Sequence, residues 1–315
     1  MLSFLGRSAA PVERVSEAQR RIVASGLGDD TGGGIYVLEN GEFSMIDQVS
    51  TTGLAVSADA TRLARLAWTD DDLDAPGELM MYDRVGLLAY HRVDDLREPH
   101  SAQWDGDVLV VVSTGTNTIL WLDRAGRVIR RWEAPGEGDC WHLNSLSSRH
   151  GRLLASAFGR FSNTRGWGEA AARERQGIVI DVTSGRDVMT GLSAPHNPLW
   201  LDGGWFVCNS GDGELLRLDA SGHVADRRAF HGWTRGLAYD ESFLYLGVSS
   251  HRLRGAQGRT AFVVALTRNG LEETERWNLP SREVYDVTLM PEALVEGLRA
   301  GATKQLLING CQGTA

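Results

Sequence analysis

PHNPLWLDGGWFVCNSGDGELLRLDASGHVADRRAF, residues 195–230, reads as four short strands joined by tight polar turns. The strands are Pro198–Leu201, Trp205–Asn209, Glu214–Asp219 and Val224–Phe230. The turns DGG, SGDG and ASG carry the Gly and Asp residues that tight turns need for their backbone angles. A unit of this kind cannot bury its own apolar faces, so its neighbours must resemble it.

They do. PHSAQWDGDVLVVVSTGTNTILWLDRAGRVIRRW (99–132) repeats the plan. So does WHLNSLSSRHGRLLASAFG (141–159), continued after an insertion by GIVIDVTSGRDVMTGL (177–192). TRGLAYDESFLYLGVSS (234–250) is continued by TAFVVALTRNGLEETERW (260–277), and TTGLAVSADATRLARLAW (51–68) by GELMMYDRVGLLAYHRV (77–93). Four strands recurring every roughly 40–55 residues is the pattern of propeller blades. A sixth copy is divided between the chain ends. VYDVTLMP (284–291) and KQLLING (304–310) are expected to supply two strands, and GGIYVLENGEFSMIDQV (33–49) the other two. Sharing a blade between the termini closes the ring and removes a free sheet edge. The expected fold is therefore all-β: a six-bladed β-propeller over residues 33–315, four antiparallel strands per blade, the last blade closed by N- and C-terminal strands. Residues 1–32 stand outside it as an N-terminal extension. Within them ERVSEAQRRIVASGLG reads as a short helix near the channel mouth.

Bulk properties fit a closed all-β domain. The chain has 315 residues, 42% hydrophobic and 23% charged. No apolar run approaches the roughly 18–20 residues of a membrane span, and the N-terminus lacks the apolar core of a signal peptide. Three scattered cysteines, Cys140, Cys208 and Cys311, with no CxxC suit a reducing compartment, so a cytoplasmic location is expected. A net charge of −9 argues against a nucleic-acid partner.

Aligning the copies places the residues that open each innermost strand around one end of the channel. They are Gly53, His100, His142, His196, Arg235 and Asp286. Three imidazoles meeting there would suit a divalent transition metal (Zn, Fe, Mn or Cu) with an open coordination position. Such an ion acidifies a bound water or polarises a carbonyl. Arg235 is the expected clamp for an anionic substrate, and Asp286 the expected base, ligand or orienting partner. Tyr285 is a candidate proton donor, although strand alternation points it away. Asn144 should face the channel one layer deeper. The loops between second and third strands add His251, Arg252, Arg165 and Trp167 as binding candidates. NSGDGE (209–214) lacks the later ligands of a calcium loop and reads as a turn. Phosphate-loop and GxSxG motifs are absent, so no nucleotide cofactor is expected.

CWHLNSL (140–146), PHNPLWLDGGWFVCNSGDGELLRLD (195–219), TRGLAY (234–239), LGVSSHR (246–252) and EVYDVTLMP (283–291) resemble an uncharacterised bacterial family of β-propeller proteins. The resemblance covers about residues 95–291 and implies that the ring positions belong to the family pattern. It implies no activity. The arrangement is also similar to that of peptidylglycine amidating lyase, a six-bladed propeller with a three-histidine zinc. A metal-dependent lyase, hydrolase or isomerase of specialised metabolism, acting on a small anionic molecule, is the expectation. The alternatives are a metal-free acid–base enzyme at the same place and a non-catalytic propeller binding a ligand or protein there.

Overall fold

The computed structural model describes residues 20–27, 33–68, 72–169, 174–250 and 260–312, with side chains described up to residue 302. Six four-stranded antiparallel sheets form the propeller. The first blade is β4 (Thr51–Val56), β5 (Leu63–Ala67), β6 (Gly77–Asp83) and β7 (Gly86–Val93). The second is β8 (Pro99–Asp105), β9 (Val108–Ser113), β10 (Thr118–Leu122) and β11 (Val128–Glu133). The third is β12 (Leu143–Arg149), β13 (Arg152–Ala157), β14 (Gly177–Asp181) and β15 (Asp187–Leu192). The fourth is β16 (Pro195–Leu201), β17 (Gly204–Asn209), β18 (Glu214–Leu218) and β19 (Val224–Ala229). The fifth is β20 (Trp233–Tyr239), β21 (Phe243–Ser249), β22 (Phe262–Thr267) and β23 (Glu273–Asn278).

Side-chain alternation explains the layering. Middle strands such as β5 and β10 are covered on both faces by adjacent blades and are buried at every position. Outermost strands such as β19 and β23 are mostly exposed. Six apolar clusters fill the six blade–blade interfaces. Val112 and Ile119 meet Leu143 and Ile178 across one of them, and Cys208 and Leu215 meet Leu246 and Val264 across another. The turns STGTNT and NSGDG each make one short 3₁₀ turn, ending at Asn117 (φ 57°) and Gly213 (φ 68°) in the left-handed region.

The closing blade corrects the sequence reading. Its strands run β24 (Asp286–Pro291), β1 (Arg20–Gly26), β2 (Gly34–Glu39) and β3 (Glu42–Asp47). RRIVASG is thus a strand inside the propeller rather than part of a helix outside it, and residues 20–26 do not belong to an extension. Its Ile22-Val23 pair favours a pleated surface, and the strand pairs with β24 on one side and β2 on the other. KQLLING supplies no strand. It lies in helix α1 (Glu292–Gln312), which follows β24 directly. Leu294, Val295 and Leu298 recur at helical spacing and are buried between the last and first blades. Gly297 lets the helix lie on the turn after β6, since a Cβ there would meet the Asp83 carbonyl oxygen at 1.8 Å. No described helix is long and apolar enough to cross a membrane. Closure is reinforced by Arg65, fully buried, whose guanidinium meets both oxygens of Asp47 at 2.7 and 2.6 Å.

Candidate active site at the channel mouth

Every innermost strand starts at the same face, so the connection entering it delivers residues to one ring. Five of these strands carry a β-bulge at or directly after the leading position, shifting register within Thr51–Leu54, Pro99–Ala102, Leu143–Ser145, His196–Leu199 and Arg235–Leu237. Bulges re-aim side chains. The backbone is also held in the left-handed region at Glu98 (φ 44°), His142 (φ 50°) and Ala194 (φ 46°). Each such residue costs about 1–2 kcal/mol, and strain of this kind gathers at functional sites. Gly53, the first blade's leading residue, has no side chain because its Cβ would meet the Ser101 Cα at 3.0 Å.

The three histidines are brought to the mouth and are nearly buried, at 7% (His100), 6% (His142) and 2% exposure (His196). All three are oriented through Nδ1. His100 Nδ1 meets the Glu98 carbonyl at 3.1 Å, and His196 Nδ1 meets Ser210 Oγ at 2.8 Å. The Ser210 hydroxyl is itself donated to the Thr234 carbonyl at 2.5 Å. His142 Nδ1 meets the Asp139 carboxylate at 3.0 Å. Each acceptor fixes the tautomer with hydrogen on Nδ1 and the lone pair on Nε2. Such Nδ1 partners are what metal-ligating histidines use, but the rings do not close on one point. His100 and His142 meet edge to face with centroids 5.0 Å apart, while Phe158 stands between His142 (4.2 Å) and His196 (5.4 Å). Among the described residues no group of three His, Cys, Asp or Glu side chains is placed to hold a metal ion. The three imidazoles are thus not brought together as one donor set among the described residues.

Tyr285, and not Asp286, completes the ring. Its side chain lies 5.1 Å from the His100 ring, and the Arg235 guanidinium sits 3.5 Å over its face. Asp286 turns down the channel, where its oxygens accept hydrogen bonds from Leu54 N at 3.0 Å and Val287 N at 2.9 Å. Burial pushes its carboxyl up to about 6. Arg235 is 2% exposed and pairs with Glu283 at 3.3 Å, so its charge is already matched inside the protein. Asn144 does not present its amide to the channel: it donates to the His142 carbonyl at 3.1 Å and accepts from Ser156 at 2.7 Å. Trp167 does reach the site. It packs 4.0 Å from the His142 ring and donates to the Asp139 carbonyl at 3.1 Å. His251 and Arg252 lie outside the described residues.

Three carboxyls escaped the sequence reading: Glu98, Asp139 and Glu283, at 5%, 1% and 6% exposure. Each sits in the connection just before an innermost strand and has a partner: Arg165 for Glu98, His142 for Asp139 and Arg235 for Glu283. The signal was present as EPH, DCWH and EVYD, an acidic residue two or three positions ahead of each leading residue. Burial raises the Asp139 carboxyl to about 7, against the opposing influence of Arg165 and Trp167. It also raises that of Glu98, which Arg165 partly offsets.

Solved structures share this architecture at low identity. A protein of unknown function from Bacteroides caccae matches with a TM-score of 0.62 at 15% identity, covering 86% of this chain and 99% of its own. A chain of the nidogen/laminin complex matches at 0.61 and 11%, covering 87% and 99%. The periplasmic gluconolactonase PpgL of Pseudomonas aeruginosa matches at 0.51 and 12%, covering 86% and 99%. At such identities the likeness is one of fold. No curated protein matches the chain in sequence. The sequence profile described as "Domain of unknown function (DUF4915)" matches residues 48–296, and the chain belongs to that family.

Proposed function

We propose that the protein is a small-molecule hydrolase working by metal-free acid–base catalysis at the channel mouth. The observation that carries this reading is the buried Asp139–His142 pair, with Trp167 packed against the imidazole. A carboxyl on Nδ1 orients the ring and leaves Nε2 as the base, the division of labour used in hydrolytic dyads and triads. His142 Nε2 takes a proton from water as the oxygen adds to an ester or lactone carbonyl. The carbon–oxygen bond to the leaving alkoxide then breaks, and the alkoxide is protonated from the site. Tyr285, across His100 from this pair, is the hydroxyl donor suited to that last transfer. The charges of Glu98 and Glu283 are matched internally by Arg165 and Arg235, so the mouth suits an uncharged substrate better than an anion.

A gluconolactonase among proteins of this fold makes sugar lactones the first panel to try. Purified protein would be offered aldonolactones and small esters while acid release is followed by pH-stat. Turnover by the wild type that falls at least about 100-fold in His142→Gln supports the proposal. Absence of turnover across the panel, or equal turnover in the variant, overturns it.

A further inference from the structure

The channel's other end carries a separate cavity. It has a volume of about 510 Å³, opens on the face away from the histidines, and reaches inward to Asp286. Small-molecule sites commonly occupy roughly 300–1,000 Å³. Leu54, Leu146, Leu237 and Leu289, each from a different innermost strand, wall its inner part. The mouth residues His100, His142, His196 and Arg235 do not line it.

Among the described lining residues Asp286 is the ionisable side chain that opens an innermost strand, which places it at the inner end. Each of its carboxylate oxygens accepts a single backbone N–H, from Leu54 or Val287, which leaves further lone pairs on both. Among the described residues no cationic side chain forms an ion pair with it. The rim, by contrast, is balanced. Arg268 is held by Asp202 and by the carbonyls of Asp240 and Glu241, the Asp240 carboxylate takes the Tyr245 hydroxyl at 2.6 Å, and Arg20 and Glu241 add one charge of each sign. Arg235 acts on this carboxylate through space but is itself paired with Glu283, and a ligand that brings a further opposite charge into the cavity stabilises the ionised carboxylate.

We propose that this cavity binds a compact organic ammonium ion, its nitrogen against the Asp286 carboxylate and its aliphatic body between the four leucines. A hard metal cation is a poorer occupant, because calcium needs six to eight oxygen ligands and magnesium a near-ideal octahedron. Asn197 Oδ1, a neutral oxygen in the lining, already accepts the Gly236 N–H at 2.8 Å. An anion would meet Asp286 directly. The raised carboxyl of Asp286 agrees with a site whose charge awaits a partner. The site is independent of the mouth chemistry and stands or falls separately from it.

The test uses full-length protein, calorimetric titration at low ionic strength, and cyclohexylammonium chloride as probe, with cyclohexanol as the uncharged equivalent. Binding with a Kd of about 1 mM or tighter is expected for the ammonium, and at least about ten-fold weaker binding for cyclohexanol. Asp286→Asn should lose the ammonium preference. Leu237→Trp, which enlarges a wall side chain and keeps the carboxyl, should abolish binding of both probes and carries the test if Asp286→Asn fails to fold. Equal affinity of the wild type for the two probes, a retained ammonium preference in Asp286→Asn, retained binding in Leu237→Trp, or no ammonium binding by the wild type would overturn the proposal.

Discussion

Replacing Asp139 by Asn asks whether the carboxyl beside His142 keeps its proton in the folded protein. Asp139 is 1% exposed, and burial raises its carboxyl from 3.8 to about 7. The folded state therefore binds more protons than the unfolded state between those values. The stability this group contributes is complete below the unfolded value and is lost as pH rises through about 7. A displacement of about 3 pH units corresponds to about 4 kcal/mol in all. Of this, about 2–3 kcal/mol falls between about pH 5 and about pH 8. Asn does not titrate, so the unfolding free energy of the wild type minus that of Asp139→Asn should drop by that amount across the interval. Glu98 and Asp286 titrate in both proteins and cancel in the difference. A small residue remains, because the charge of Asp139 raises the Glu98 carboxyl and the variant removes it. Urea unfolding followed by tryptophan fluorescence at a series of pH values measures the difference. A flat difference would show that Asp139 ionises as it does in the unfolded chain. A difference that grows with pH would show an ionised Asp139 held by a protonated His142. Either result refutes the raised Asp139 carboxyl; the proposed base works where Asp139 is ionised and accepts the Nδ1 hydrogen of His142, above about pH 7.

Other consequences can be checked alongside. Asp47→Ala leaves the buried Arg65 guanidinium without its carboxylate and should cost about 3–5 kcal/mol in urea unfolding; a loss below about 1 kcal/mol would mean that water or another residue replaces it. Deleting residues 1–26 removes β1 and strips β24 of its hydrogen-bonded neighbour, so the truncated chain should lose cooperative unfolding. A soluble product melting at the wild-type temperature would contradict the observed closure. Protein prepared without metal and then titrated with zinc should take up less than one equivalent at the histidines. A full equivalent, lost in the His142→Ala/His196→Ala double variant, would show that the rings can rotate around Phe158 to converge.

The propeller was legible because its signals are local. Strand alternation, Gly and Asp at turns, and blade-length spacing all lie within single repeats, and aligning those repeats brought His100, His142, His196 and Arg235 to one end of the channel. The partner of β24 was not legible, since RRIVASG and KQLLING compete for that place and only long-range pairing chooses between them. The spacing of Leu294, Val295 and Leu298 nevertheless already suited a helix for the second segment. The ring's inner geometry was beyond the sequence for a different reason. Bulges at or after the leading positions and left-handed residues at Glu98, His142 and Ala194 set where side chains point, and strict alternation along a strand cannot express them. So Tyr285 rather than Asp286 faces His100, Asn144 is tied to its own blade, and Phe158, just past the end of β13, parts two histidines. The buried carboxyls Glu98, Asp139 and Glu283 lie in connections, which a strand alignment discards, and only the closed ring of blades shows that each meets a cation or an imidazole.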